Sequence, residues 1–403
     1  MKAISLFSGA GGFDVGMERA GFDTVLATDH DAGCVATLEA NCHARVPVDG
    51  RTGRFHLDKA EIVRADIADL DFARFAGHGD IVFGGPPCQA FSSSGHMGSL
   101  DDPRGRLVHQ FTRAVAEIRP RAFVMENVRG LVTARDGTGE PGGVLHGLLE
   151  ELGALGYGCG AFLLNAADFG AYQRRVRCFL VGLRGALAAP PPEATHRPMK
   201  AAESAELFDA PPWRTLGEFL RLHGDRDAAA WQRPSDRLLE RLGDVADGSG
   251  LKSPGVVETT RPGGHWGYRQ GTFVADRCLP ARTVTGSATQ DLVRMDDGSL
   301  RRLSLREVAL LQGFPEGWTF AGTTSRRHLQ VGNAVPAALA QAVGRHVREL
   351  LFRKDGRQAA ASARTPAVTA DIARAIRYTQ REEARNGDSR AAKVRATLKT
   401  PAC

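Results

Sequence analysis

Short apolar runs and helically spaced apolar positions alternate along the first 185 residues. Runs of strand length predict β-strands over Ala3–Phe7, Thr24–Thr28, Glu61–Ala65, Asp80–Phe83, Ala122–Met125 and Arg177–Leu183. Between them the pattern predicts helices, for example Leu107–Ile118 and Val144–Leu155. Strand and helix in alternation predict a parallel α/β sheet. After Arg184 the texture changes. Proline clusters (Pro190–Pro192, Pro211-Pro212), polar loops and three of the four tryptophans predict a smaller, irregular domain over residues 186–280. A connecting segment over 281–319 follows. Residues 320–352 are expected to complete the first domain (1–185), with Val335, Leu339, Val343, Val347 and Leu350/Leu351 forming one helical stripe within Val331–Phe352. The Ala- and Arg-rich tail, 353–403, is expected to be mobile or weakly helical.

Composition narrows the class without deciding it. The chain has 403 residues, enough for two or three domains, and its 42% hydrophobic and 24% charged residues are ordinary for a globular protein. No apolar run approaches the roughly 20 residues of a membrane span, and no signal region precedes the first strand, so a cytoplasmic location is expected. Seven scattered cysteines without a CxxC pair argue against disulfides and against a metal site; Cys34, Cys42 and His43 lie close together but lack a second ligand pair. The net charge of +6 is compatible with nucleic acid. It is also local, since the tail from Arg353 carries 12 Lys/Arg against 5 Asp/Glu.

The first candidate site follows the first strand. Phe7-Ser8-Gly9-Ala10-Gly11-Gly12 opens a helix, and glycines there allow a tight turn and close approach of a ligand to the helix N-terminus. Asp29, twenty residues after Gly9 at the end of the second strand, is placed to accept both ribose hydroxyls of a nucleoside. Asp66, followed by Ile67, ends the third strand within reach of an adenine amino group. The loop lacks the GxGxxG spacing that a pyrophosphate requires, so this region reads as Rossmann-like with a nucleoside cofactor.

The second candidate site carries the chemistry. Gly84-Gly85-Pro86-Pro87-Cys88-Gln89 follows the fourth strand, where ligands bind in open α/β sheets, and two prolines fix the aim of the Cys88 thiol. A thiol reacts as thiolate, so Cys88 reads as a nucleophile that needs assistance. The fifth strand runs into Met125-Glu126-Asn127-Val128, and a glutamate just past a buried strand is costly unless paired or functional.

Together these segments resemble the bacterial C5-cytosine DNA methyltransferase family, in order along nearly the whole body. Phe7–Gly12 resembles the FxGxG cofactor loop, Pro87-Cys88-Gln89 the PCQ motif, Glu126-Asn127-Val128 the ENV motif and Gln173–Arg177 the QxRxR motif. Arg282–Thr285 resembles the segment that organises the recognition domain. Leu311–Pro315 matches a typical family stretch, and Gln330–Val335 resembles the late GNxV motif. Tyr172 stands where the family usually has proline, Asp29 where it often has glutamate, His30 where it has an aromatic residue, and Ala334 where serine is common.

The resemblance implies a Rossmann-like S-adenosylmethionine-dependent methyltransferase with a target-recognition domain. It implies Cys88 as nucleophile, Glu126 on the N3/N4 edge of a flipped cytosine, Arg177 on its O2 and Arg175 in support. Cofactor contacts are implied for Phe7, Gly9, Ala10, Gly11, Gly12, Asp29, His30, Asp66, Ile67, Gly85, Pro87, Leu107, Asn333, Ala334 and Val335. For DNA, Gln89 is an expected contact, and Ser92 and Ser94 belong to a stretch, Ser92–Gly95, expected to close over the flipped base. Arg261, His265, Trp266, Arg269 and Gln270 form a candidate DNA-facing loop in which Arg and Gln suit G and A edges. The expected partner is duplex DNA, with no metal, no membrane and a monomeric chain, in a restriction-modification or DNA-protection system. The alternatives are an RNA cytosine methyltransferase, a non-catalytic DNA-binding relative and, from the first 30 residues alone, a dinucleotide-dependent oxidoreductase.

Overall fold

The computed structural model describes residues 1–49, 53–87, 106–198, 210–226, 231, 233–252, 272–287, 291–352 and 367–381. Its centre is an eight-stranded sheet. The strands are β1 (Lys2–Leu6), β2 (Asp23–Asp29), β3 (Glu61–Arg64), β4 (Ile81–Gly84), β5 (Ala122–Val128), β6 (Tyr157–Asn165), β7 (Val176–Arg184) and an edge strand, Ala367–Val368, in the order edge-β6-β7-β5-β4-β1-β2-β3. The chain builds outward from β1 through β2 and β3, then returns to the other side of β1 for β4. The order therefore switches between β1 and β4, where the carboxyl ends of parallel strands leave a crevice for ligands.

All six expected strands form, but the sheet is mixed rather than parallel. β7 pairs antiparallel with both β5 and β6, while the other described pairs in this sheet are parallel. Buried strands carry apolar residues to both faces. On β5, Phe123 and Met125 enter the core beneath the helices Arg106–Ile118 and Gly143–Ala154, while Ala122 and Val124 face the opposite core. That second core is covered by helix α1 (Gly12–Arg19) and by the long helix Ala337–Phe352. The two helices approach closely because glycine replaces side chain at the contact. A Cβ on Gly344 would meet Ala20 Cβ at 2.8 Å and Met17 Sδ at 2.9 Å.

Three expectations need correction. The stripe over Val331–Phe352 is not one helix. It divides into Thr324–Asn333 and Ala337–Phe352 around Ala334-Val335-Pro336, because proline lacks an N–H and disfavours helical backbone at the residue before it. The segment 281–319 is not merely connecting. Leu292–Arg294 and Leu300–Arg302 join Phe273–Val274 and Ser249–Gly250 in a second, four-stranded sheet, with Leu242, Val245, Val274 and Leu292 as its small core. Finally, the tail expected to be mobile or weakly helical is helical over 370–381, and its residues Ala367–Val368 are built into the sheet. Ala367–Val368 pairs with β6, and the helix over 370–381 buries Ile372 and Ile376 in the main core. No described helix is long and apolar enough to cross a membrane.

Candidate active site at the sheet switch point

The loop after β1 holds a strained, ligand-ready shape. Phe7, Gly9 and Gly11 take φ values of 55°, 57° and 88°, and such left-handed backbone suits glycine far better than Phe. Phe7 is held by its surroundings: its ring packs on the main core, and the next residue donates from Ser8 N to Thr28 O at 2.9 Å. Asp29 ends β2 against this loop. Its Oδ2 accepts from Gly9 N at 2.8 Å and its Oδ1 from Asp31 N at 2.9 Å. Open space lies beside Gly9, where an added Cβ would touch nothing within 4 Å. Ala10 is buried, and Gly12 lies directly under the late segment, its position for a Cβ 2.7 Å from Val335 O and 2.9 Å from Ala334 Cβ. The structure thus gathers Phe7–Gly12, Asp29 and Ala334-Val335, with Asn333 exposed at the end of its helix.

The remaining expected cofactor residues are less uniform. His30 is largely exposed, with Nδ1 3.5 Å from Asp29 Oδ1. Asp66 does not end β3, which stops at Arg64. It is exposed and caps a short 3-10 turn by accepting from Ala68 N at 2.9 Å, while Ile67 is buried in the core. Leu107 is half-buried against the main core, and Gly85 and Pro87 are half-buried after β4.

Beside this loop lies the carboxylate site. Glu126 Oε1 sits 3.0 Å from Arg177 Nε, with both side chains largely buried. Gly85 leaves room for it, since a Cβ there would stand 3.0 Å from Glu126 Oε2. Burial pushes the Glu126 carboxyl above the usual carboxylate range, although the Arg177 and Arg175 guanidinium groups pull the other way. A buried carboxyl that leans toward its protonated form can donate a hydrogen bond. Next to it, Asn127 Nδ2 donates to Pro86 O at 3.2 Å, which ties the end of β5 to the loop after β4. Cys88, Gln89, Ser92 and Ser94 lie outside the described residues, as do Arg261, His265, Trp266, Arg269 and Gln270.

Arg175, expected in support of Arg177, is anchored on backbone carbonyls. It is buried, and its guanidinium donates to Val284 O at 2.7 Å and Gly332 O at 2.8 Å. Gln173 works alongside, donating to Leu311 O and Gln312 Oε1 and accepting from Val284 N. Both side chains lock the segment before β7 to residues around 284, 311 and 332. Arg175 thus holds backbone, and Arg177, two residues on, is the arginine that sits 3.0 Å from the Glu126 carboxyl.

Sequence reasoning missed a buried polar group under the loop after β1. Asp14 on α1 is fully buried, and Glu18 one turn later meets His56 Nδ1 at 2.9 Å and Leu57 N at 2.8 Å. It also missed the contacts of Gln330, which accepts from Thr37 Oγ1 at 2.6 Å and donates to Ala321 O at 2.9 Å, joining the late motif to helix Ala32–His43. These contacts span up to 293 residues, so no local pattern could signal them.

A mixed α/β sheet with a glycine loop and a strand-end carboxylate at its switch point is the architecture of a Rossmann-like methyltransferase. Residues 1–349 match the family model for C-5 cytosine-specific DNA methylases, and the chain belongs to that family. It is a DNA cytosine-5 methyltransferase. It is 30% identical over 374 residues to the Type II methyltransferase M.FnuDI of Fusobacterium nucleatum, covering 88% of this chain and 96% of the relative. The Type II methyltransferase M1.HphI of Haemophilus parahaemolyticus is 31% identical over 358 residues, with 86% of each chain covered. The fold is also that of the S. pombe Dnmt2 methyltransferase, with a TM-score of 0.58 at 16% identity over 87% of this chain and 99% of that one.

Proposed function

We propose that the enzyme methylates carbon 5 of a flipped cytosine in duplex DNA through a covalent adduct with Cys88, using S-adenosylmethionine. The observation that carries this reading is the Glu126–Arg177 pair, buried beside Gly85 and tied through Asn127 to the loop that leads to Cys88. The cofactor fits the residues present. Gly9 faces open space, the loop glycines permit close approach, and Asp29 stands at the end of β2 to hold ribose hydroxyls. When bound, S-adenosylmethionine supplies the methyl group.

The chain's own residues do the rest. The Cys88 thiolate adds to carbon 6, which makes carbon 5 nucleophilic. Glu126 donates to N3 and accepts from the exocyclic N4, and its burial favours the protonated state that this requires. Arg177 donates to the O2 carbonyl and stays charged throughout. After methylation the carbon 5 proton leaves, the Cys88–carbon 6 bond breaks and aromaticity returns. The base must first leave the stack, at a cost of about a few kcal/mol. Residues 186–280, including the candidate loop with Arg261, His265, Trp266, Arg269 and Gln270, are assigned to target recognition. The Type II relatives support a role in a restriction-modification system, acting on cytoplasmic DNA.

The test is trapping on duplex DNA containing 5-fluorocytosine with S-adenosylmethionine. Fluorine cannot leave as the proton does, so the adduct persists. A covalent complex in wild type that is absent in Cys88→Ala is expected, and mapping the trapped base gives the target sequence. Trapping on tRNA but on no DNA pool would replace DNA with RNA as substrate.

A further inference from the structure

The family match ends at residue 349, yet the chain continues into an ordered element against the catalytic domain. Ala367 and Val368 pair in parallel with Gly160 and Ala161 of β6, and Thr369 N donates to Ala161 O at 3.2 Å. The helix over 370–381 then lays Ile372 and Ile376 into the core that contains Leu131, Val132 and Ala134. These three residues belong to the stretch that follows Glu126: the 3-10 turn Arg129–Thr133 and the residue after it. The fit is close. Gly142 turns back here with φ of 88°, and a Cβ on it would stand 2.8 Å from Ile376 Cδ1 and 3.4 Å from Val132 O. Asp371 adds a favourable charge beside the partly buried Arg129 guanidinium at the start of the same turn.

The turn is one link from the reacting groups. It leads directly out of β5, whose last residues are Glu126, Asn127 and Val128. Asn127 Oδ1 accepts from Val128 N at 2.9 Å, and its Nδ2 donates to Pro86 O. A shift of the turn therefore moves the Glu126 carboxyl and the loop after β4 together. We propose that residues 367–381 are a positioning element for methyl transfer, in which Ile372 and Ile376 clamp the turn after Glu126 and so fix Glu126 and Pro86 relative to each other. This rests on the reaction proposed above. The segment touches no reacting atom, so its effect is on the rate of the chemical step.

The experiment compares full-length wild type with Ile372→Ala/Ile376→Ala and with Ile376→Val, under single turnover on 5-fluorocytosine DNA over a range of DNA concentrations up to saturation, with S-adenosylmethionine saturating throughout. The amplitude of adduct counts correctly folded enzyme, and the rate reports positioning. The double alanine variant is expected to form adduct about tenfold more slowly, in line with the sensitivity of pre-organised sites to small displacements. Ile376→Val should recover most of that rate. A lower amplitude or melting temperature with an unchanged rate per trapped site would reduce the segment to a stabiliser and overturn the proposal. So would a rate recovered in full by raising DNA concentration, which would make the helix a DNA-binding element. No adduct in wild type itself would instead refute the underlying reaction, and the positioning role with it.

Discussion

Glu126 and Arg177 meet as diagonal neighbours across the antiparallel pair β5–β7: Glu126 lies opposite Phe179, Arg177 opposite Val128, and their side chains close to 3.0 Å. The reversed direction of β7 creates this pair. It brings the start of β7 to the carboxyl end of β5, so an arginine from the beginning of one strand and a glutamate from the end of another share one crevice.

Glu126→Gln tests the acid role most directly. Glutamine keeps the shape and one donor but cannot carry the charge change of the reaction. The expected outcome is a folded protein with near-normal DNA binding and a methylation rate lower by about 10²–10⁴-fold, the usual contribution of a general acid. The companion variant Arg177→Gln removes the nearest positive charge from a carboxyl that burial already pushes up. Glu126 should then stay protonated to higher pH, and any alkaline limb of the single-turnover pH–rate profile that reports its ionisation should move upward. A limb that moves down or stays fixed would show that Arg177 does not set the state of Glu126.

Gly12→Ala should separate cofactor binding from DNA binding. The new methyl would stand 2.7 Å from Val335 O and 2.9 Å from Ala334 Cβ, and a backbone carbonyl cannot swing aside. The late segment must retreat from the cofactor loop. A stability loss of about 1–3 kcal/mol, typical of overpacking, is expected. S-adenosylmethionine affinity measured by calorimetry should fall, while affinity for duplex DNA without cofactor should change little. Equal losses in both would mean that the contact holds the whole domain rather than the cofactor loop.

The strand-end positions of the glycine loop, Asp29 and Glu126-Asn127-Val128 were legible in sequence because each lies in a short run beside an apolar strand. Direction and distance were not. The apolar run in Arg177–Leu183 gives a strand but not its sense, so the antiparallel β7 was invisible. β6 escaped notice because Gly158 and Gly160 dilute its pattern. Those glycines serve close backbone approach, as a Cβ on Gly158 would stand 2.7 Å from Leu187 O. In the tail, abundant Ala and Arg masked the Ile372/Ile376 pair, although a spacing of four marks one helix face. Arg175 and Arg177 look equivalent in QxRxR. Only tertiary contacts with Val284 and Gly332 distinguish the positioning arginine from the one on the carboxyl.

That distinction predicts opposite phenotypes for two identical substitutions. Arg175→Lys cannot reach two buried carbonyls with one ammonium in the same geometry, so at least one of Val284 O and Gly332 O loses its partner. About 2–4 kcal/mol of stability should be lost, read as a lower melting temperature, with a modest change in rate per folded molecule. Arg177→Lys should do the reverse: a small change in melting temperature and a large loss of rate. Matching phenotypes would place both arginines in the same role.

Asp14 predicts a pH dependence of stability that is independent of catalysis. Its carboxyl is fully buried on α1, and burial raises it to about 7 from 3.8, against the opposing influence of His56 and the Ser5 hydroxyl and with the support of Glu18. Between those two values the native state holds a proton that the unfolded chain has released. Stability from this group is therefore complete below about pH 4, and it is lost as pH rises through about 7. Asp14→Asn fills the same space without ionising. Its stability relative to wild type should rise with pH, reaching a gain on the order of a few kcal/mol at pH 8, and the difference should shrink as pH falls toward 4. Urea unfolding of both proteins across that range measures it. A difference that is flat with pH would mean that Asp14 ionises in the native state as readily as in the unfolded chain.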